Sequence, residues 1–295
     1  MIESHIVKVK KHTKNSDFEK YYKEKFNSEF DYLCSIIDTD RFHYARLIEP
    51  NGLCRYGDIL PYEDNNVSIK SGHKFINASW IDIPSTKYFI ATQGPLEITV
   101  EDFFWMLIEY DVQFIVMLCD VEENGKEKCA KYWDNKGLKN FTIEKRKETT
   151  ALDKNLFKRC LTIKGLKNKN IVKNFDQIQF IEWEDHEGLT YEYFEKIIKM
   201  IQLVDNYKKD KASVPIVVHC SAGVGRTGTF ICLYNLYHEI MEQIINKEIK
   251  EIKFSIMNLV RKLKEMRLYL VENESQYIFL YQFINLFLIK NNTFK

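Results

Sequence analysis

The sequence contains no C-x-x-C pair, no Gly/Ser- or Pro-rich linker, no repeat of fixed period and no low-complexity tract. Each absence removes a class of protein. Lacking paired spacing, the seven cysteines at 34, 54, 119, 129, 160, 220 and 232 form neither a disulfide framework nor a zinc site. An odd number of unpaired thiols suits a reducing compartment. Six of them read as small buried hydrophobes, and Cys220 does not. With no linker or repeat to divide it, the 295-residue chain reads as one domain, 1–295. No cluster of His, Asp and Glu suggests a metal. The leading "MIESHIVKVKKH" has no apolar h-region, position 2 is not a myristoylatable Gly, and "NNTFK" is no lipidation box, so a cytoplasmic chain is expected. The longest apolar run, "YIFLYQFINLFLI" at 277–289, is too short to span a bilayer and reads as a buried terminal helix. No membrane insertion is expected.

An excess of one charge is also missing: 43 Lys+Arg stand against 42 Asp+Glu, a formal net charge of +1. No global basic field pulls the chain toward nucleic acid, so any anion recognition must be local. Arginine itself is scarce, 8 residues against 35 lysines, which makes each arginine conspicuous. What remains is ordinary globular composition, 45% hydrophobic and 29% charged.

Along the chain, "DFEKYYKEKFNSEFDYLCSII" within residues 1–35 has helical spacing and reads as amphipathic helices docked on the rest of the domain. "GDILPY", "KFINASWI" and "KYFIATQG" read as short strands between turns. "TVEDFFWMLIEY" reads as a helix capped by Thr99, and "FIVMLC" as a strand covered on both faces. "KRCLTIKG" and "FDQIQFIEW" suggest further strands, and "YFEKIIKMIQLVDNYKK" a helix. "PIVVHC" is another buried strand, ending in a glycine turn and a helix from about Arg226 to Asn246. "FSIMNLVRKLKEMR" and "ESQYIFLYQFINLFLI" close the chain as helices. Mixed strands with covering helices predict an α/β domain whose site lies where strands end and helices begin.

The turn "VVHCSAGVGRTGTF", residues 217–230, concentrates the chemistry. A free thiol is only a few per cent ionised at neutral pH, so a nucleophilic cysteine needs donors aimed at its sulfur. Cys220, at the end of an apolar strand and just before a helix, receives the helix N-terminus and successive backbone N–H groups. Gly223 and Gly225 permit an anion nest through Ser221, Ala222 and Val224, and Arg226 adds a planar fork suited to two phosphate oxygens. A nucleotide P-loop would carry Lys after its last Gly and no nucleophile at the strand end. At roughly 5% usage per residue type, H-C-x-x-G-x-G-R-T-G matches by chance about once in a billion placements.

From about residue 25 to 290 the chain resembles the classical, phosphotyrosine-specific protein tyrosine phosphatases. "CRYGDILPYEDNNV" is similar to their phosphotyrosine-recognition loop; "FINASWID", "YFIATQGP", "VEDFFWMLIE" and "EENGKEKCAKYW" come after it in family order. The resemblance implies a single-domain fold with a highly twisted mixed sheet flanked by helices. It also implies phosphotyrosine hydrolysis through a phosphocysteine at Cys220, with Arg226 holding the phosphate, Thr227 stabilising the departing thiolate and His219 tuning the thiol. Tyr56 and Asp58 would form a deep phosphotyrosine slot, and Asp185 would be the general acid. Lys128 would support the acid loop, Glu123 the arginine, and Gln276 would orient water. No cofactor is implied, the partners are phosphotyrosine-containing proteins, and no oligomeric state is assigned.

Some positions depart from the family. Glu184 replaces a proline beside the acid and Glu187 a glycine, so the acid loop is expected to close less often. Glu272 replaces a water-positioning glutamine, and its charge is expected to slow hydrolysis of the intermediate. Tyr269 replaces a glycine at the pocket mouth, which implies narrower access, and Leu53-Cys54 replaces Lys-Asn. Two alternatives stay open: a slow or substrate-trapping phosphotyrosine binder, and a phosphatase for RNA 5′-phosphates or phosphoinositides. The slot at Tyr56 and the near-neutral charge oppose the second. Compact architecture and the Lys/Asn/Ile bias are further similar to the tyrosine phosphatases of bracoviruses of parasitoid wasps, which implies the cytoplasm of an infected insect cell and host signalling phosphates as targets.

Overall fold

The computed structural model describes residues 26–36, 52–83, 89–150, 155–183, 191–208, 214–246 and 252–291. Nine strands are labelled in chain order: β1 (Ala78–Ile81), β2 (Phe89–Thr92), β3 (Phe114–Met117), β4 (Glu122–Glu123), β5 (Lys126–Glu127), β6 (Phe141–Thr150), β7 (Leu156–Gly165), β8 (Val172–Phe180) and β9 (Ile216–His219). Seven of them form one sheet in the order β1-β2-β9-β3-β8-β7-β6, while β4 and β5 make a separate hairpin. The short strands β2, β9 and β3 are buried at every position, as apolar β-branched runs covered on both faces must be. They pair in parallel with one another, and β3 pairs in parallel with β8. The long β8, β7 and β6 then pair antiparallel. The sheet is therefore mixed.

The helices are α1 (26–35), α2 (Val100–Glu109), α3 (Tyr191–Lys208), α4 (Gly225–Ile245), α5 (Ile256–Met266) and α6 (Glu274–Lys290). α6 is buried through most of its length, as its apolar run predicts. α1 docks on it: the buried Glu29 carboxylate accepts from Tyr277 Oη at 2.7 Å and Tyr281 Oη at 2.8 Å. Leu33 beside it is fully buried, which contributes about 2 kcal/mol. Of the expected N-terminal helices, residues 1–25 lie outside the described residues.

Several expectations need correction. "GDILPY" is turn and extended chain rather than strand, and "KFINASWI" becomes strand only at Ala78. Asn77 supplies the reason: its side-chain amide donates to the Ile59 carbonyl at 2.6 Å, satisfying that segment without a ladder. Thr99 sits at the start of α2, but its hydroxyl bonds back to Leu96 instead of capping the helix. All seven cysteines are free, yet Cys34 is exposed and Cys160 half-buried, so two of the six are not core hydrophobes.

Candidate active site

Strand β9 runs between β2 and β3, with His219 paired to Thr92 and Met117, so Cys220 falls just past the carboxyl end of the sheet's centre. The chain then turns through Gly223, whose φ is +74°. A Cβ there would lie 2.1 Å from the Thr92 carbonyl oxygen, so glycine is required twice over. The Gly223 N–H donates to Cys220 Sγ at 3.3 Å. α4 begins two residues later with no side-chain cap at Val224, so the first-turn N–H groups stay available to an anion.

Arg226, buried in the first turn of α4, donates to both Glu123 oxygens at 2.6 and 2.9 Å and to the Trp183 carbonyl at 3.2 Å. Burial works against the Glu123 carboxylate, but the Arg226 hydrogen bonds and charge outweigh it and hold its pKa below the ordinary range. Lys128 Nζ lies 3.9 Å from the same carboxylate. Trp183 packs among Phe180, Tyr193 and Phe279. Asp185, with Glu184 and Glu187, lies outside the described residues.

His219 is fully buried, and desolvation lowers its pKa to about 4, so at neutral pH the imidazole is uncharged. It reaches Cys220 through a hydrogen bond rather than a charge: Nδ1 lies 3.1 Å from the Cys220 carbonyl oxygen.

A cavity of about 260 Å³ opens over the thiol. The loop supplies Cys220, Ser221, Ala222, Gly225 and Arg226; the 56–59 segment supplies Tyr56, Asp58 and Ile59; Lys128 and Glu272 complete the wall. Tyr56 Oη bonds Ser221 Oγ at 3.0 Å, tying the recognition segment to the loop. Tyr269 does not line this cavity; it packs against the buried cluster of Leu53, Cys54, Leu60, Tyr62, Phe75 and Leu268. Glu272 and Gln276 both abut Gly225, where a Cβ would lie 2.8 Å from Glu272 Oε2 and 2.7 Å from Gln276 Nε2. Gln276 Oε1 accepts from the Glu272 N–H at 2.9 Å, while Gln276 Nε2 and the Thr227 hydroxyl are buried without a hydrogen-bond partner among the described residues. A polar group entering the loop region would find these unsatisfied.

Two further arginines build the site. Arg267 is fully buried and donates to the carbonyls of Gly223 at 2.9 Å and Ala222 at 3.2 Å, to Ser79 Oγ at 3.1 Å and to Asn77 Oδ1 at 2.8 Å. Burial lowers its pKa to about 10, which leaves it a cation at neutral pH. Arg55 grips the carbonyls of Gly94 at 3.2 Å and Pro95 at 2.9 Å, and its N–H donates to Gln93 Oε1 at 2.8 Å. Arg55 falls inside the quoted "CRYGDILPYEDNNV" stretch, whereas the only sequence signal for Arg267 is the rarity of arginine. Among the described residues, no group of three or more His, Cys, Asp or Glu is placed to hold a metal ion, and no helix is long and apolar enough to cross a membrane.

The Protein-tyrosine phosphatase family model matches residues 51–285. The chain is 32% identical over 267 residues to rat tyrosine-protein phosphatase non-receptor type 20, covering 87% of this chain and 59% of that protein. It is 33% identical over 283 residues to human receptor-type tyrosine-protein phosphatase eta, covering 90% of this chain and 20% of that protein. Thus it spans from one fifth to three fifths of the length of these two curated relatives. A structure solved in work on the PTPN18 fingerprint on distinct HER2 tyrosine phosphorylation sites superposes with a TM-score of 0.77 at 26% identity, covering 93% of this chain and 98% of that one.

Proposed function

Because this chain belongs to the protein-tyrosine phosphatase family, we propose that it hydrolyses phosphotyrosine in proteins, with Cys220 as the nucleophile. The observation that carries the reading is the Cys220 thiol at a cavity shared with Arg226, Tyr56 and Asp58, under the Gly223 N–H. Cys220 Sγ attacks phosphorus as the tyrosine oxygen leaves, and Asp185 protonates that oxygen. Arg226, oriented by Glu123, and the N–H groups of Ser221 to Gly225 hold the phosphoryl oxygens where charge develops. Lys128 keeps Glu123 in place, His219 fixes the peptide behind the thiol, and Tyr56 and Asp58 flank the aromatic ring. In the second step a water oriented by Gln276 attacks phosphorus and gives a proton to the Asp185 carboxylate, the S–P bond breaks, and the Thr227 hydroxyl stabilises the departing thiolate. No cofactor takes part. The free thiols fit a reducing compartment such as the cytoplasm.

Turnover of a phosphotyrosine peptide tests the reading: activity that vanadate inhibits and Cys220→Ser abolishes is expected, and folded protein with no turnover above that variant overturns it. One observation favours a second reading, in which the protein captures and cleaves phosphotyrosine but releases phosphate slowly. Glu272 places a carboxylate in the cavity wall beside the water-orienting Gln276. Its charge opposes the approach of the phosphocysteine and lengthens the life of that intermediate.

A further inference from the structure

Arg159, Gln177 and Tyr132 line no part of the cavity, yet a buried hydrogen-bond chain joins them to the nucleophile. Arg159 on β7 donates to Gln177 Oε1 at 3.0 Å. Gln177 Nε2 donates to Tyr132 Oη at 2.6 Å, Tyr132 Oη lies 3.0 Å from His219 Nε2, and His219 Nδ1 lies 3.1 Å from the Cys220 carbonyl oxygen. A second arm runs from Arg159 to Gln179 Oε1 at 2.7 Å and from Gln179 Nε2 to the Cys119 carbonyl at 3.0 Å, one residue before Asp120, whose N–H donates to Glu123. Glu148 Oε2, at 2.7 Å, and the Trp133 ring, centred 4.4 Å from Arg159 Cζ, hold the guanidinium in place.

Guanidinium only donates. Gln177 must therefore turn its oxygen to Arg159 and its amide N–H groups to Tyr132. Tyr132, having accepted, passes its own proton to His219 Nε2, which leaves the histidine proton on Nδ1, facing the Cys220 carbonyl. We propose that Arg159 sets the sense of this chain and so fixes His219 as its Nδ1–H tautomer, which makes Arg159 and Gln177 positioning residues for Cys220. With the opposite tautomer, two acceptors would face each other across the His219–Cys220 contact. The Cys220–Ser221 peptide would then rotate, taking the Ser221 N–H out of the anion loop. The uncharged state of His219 is consistent with this role, since a doubly protonated ring would need no director.

Gln177→Glu tests the proposal with almost no change in size. The new carboxylate still accepts from Arg159 but also accepts from Tyr132, which can then no longer donate to His219. The other ionisable groups around His219 and Cys220, among them Arg55, Arg226, Arg267, Glu123, Asp58, Lys128, Glu272, Cys119 and Cys129, are unchanged in the variant. Nitrogen-15 NMR of the full chain should find His219 protonated on Nδ1 alone in the wild type and in Arg159→Lys, and carrying a proton on Nε2 in Gln177→Glu. Cys220 alkylation at neutral pH should slow on the order of tenfold, and phosphotyrosine-peptide kcat should fall on the order of tenfold to a hundredfold with KM nearly constant. The kinetic arm rests on the phosphatase reading; the NMR arm needs no turnover, so an inactive protein and an undirected histidine are separate results. A folded Gln177→Glu that keeps the wild-type tautomer and alkylation rate overturns the proposal.

Discussion

Arg55, Arg159, Arg226 and Arg267, four of only eight arginines, each make several hydrogen bonds in or behind the Cys220 loop. Lysine, abundant here, has no planar fork and cannot replace them. Arg267→Met removes four such bonds and strands the Gly223 carbonyl and Asn77, so urea unfolding should show a loss of about 3 kcal/mol together with a fall in kcat. His219 carries a pH signature of its own. Its ordinary value of 6.5 drops to about 4 in the fold, so as pH falls the unfolded chain takes the proton first and stability is lost between those values. The loss attributable to this group is roughly 3 kcal/mol, and His219→Asn should flatten the stability profile over that window by a comparable amount. Cys220, Gly223 and Arg226 were legible because they lie within seven consecutive residues of one motif. Arg267 and Arg159 were not, since Arg267 meets Gly223 44 residues away and Tyr132 meets His219 across 87.

At the scale of elements, the strand before Cys220 and the helix after it were readable from a buried apolar run ending in glycines. The segment between α5 and α6 was not. Tyr269 and Val271 both sit at positive φ, +63° and +59°, a region costly for a β-branched side chain. Val271 fits against the start of α4: a Cβ on Gly228 would lie 2.4 Å from the Val271 N, and Val271 N–H donates to the Val224 carbonyl at 3.3 Å. Gly→Ala inside an exposed helix ordinarily stabilises by about 1 kcal/mol. Gly228→Ala should do the reverse, lowering Tm and, by pushing the segment that carries Glu272 off the loop, lowering kcat. An unchanged Tm and rate would show that this contact positions nothing. "GDILPY" misled for a related reason: its Leu60 and Tyr62 are buried in a cluster with Leu53, Cys54, Phe75 and Leu268, and its Ile59 carbonyl is bonded by the Asn77 side chain rather than by a ladder.

Over the whole molecule, four separate stretches converge on one cavity: the 56–59 segment, Lys128, the turn after β9 with the start of α4, and Glu272 just before α6. The family likeness read from motifs covered nearly all of this, and the fold agrees with it. Glu272 places a carboxylate in the wall of that cavity. If the carboxylate opposes phosphocysteine hydrolysis, Glu272→Gln should leave the first turnover unchanged and speed the steady state on the order of tenfold, which corresponds to about 1.4 kcal/mol of relieved repulsion. The central claim is that Cys220 takes the phosphoryl group covalently. Rapid acid quench of the enzyme with a radiolabelled phosphotyrosine peptide should trap label on Cys220, close to one per chain, with a matching burst of dephosphorylated peptide. Folded protein that dephosphorylates the peptide without ever carrying label on Cys220, or that carries none and turns nothing over, would contradict it.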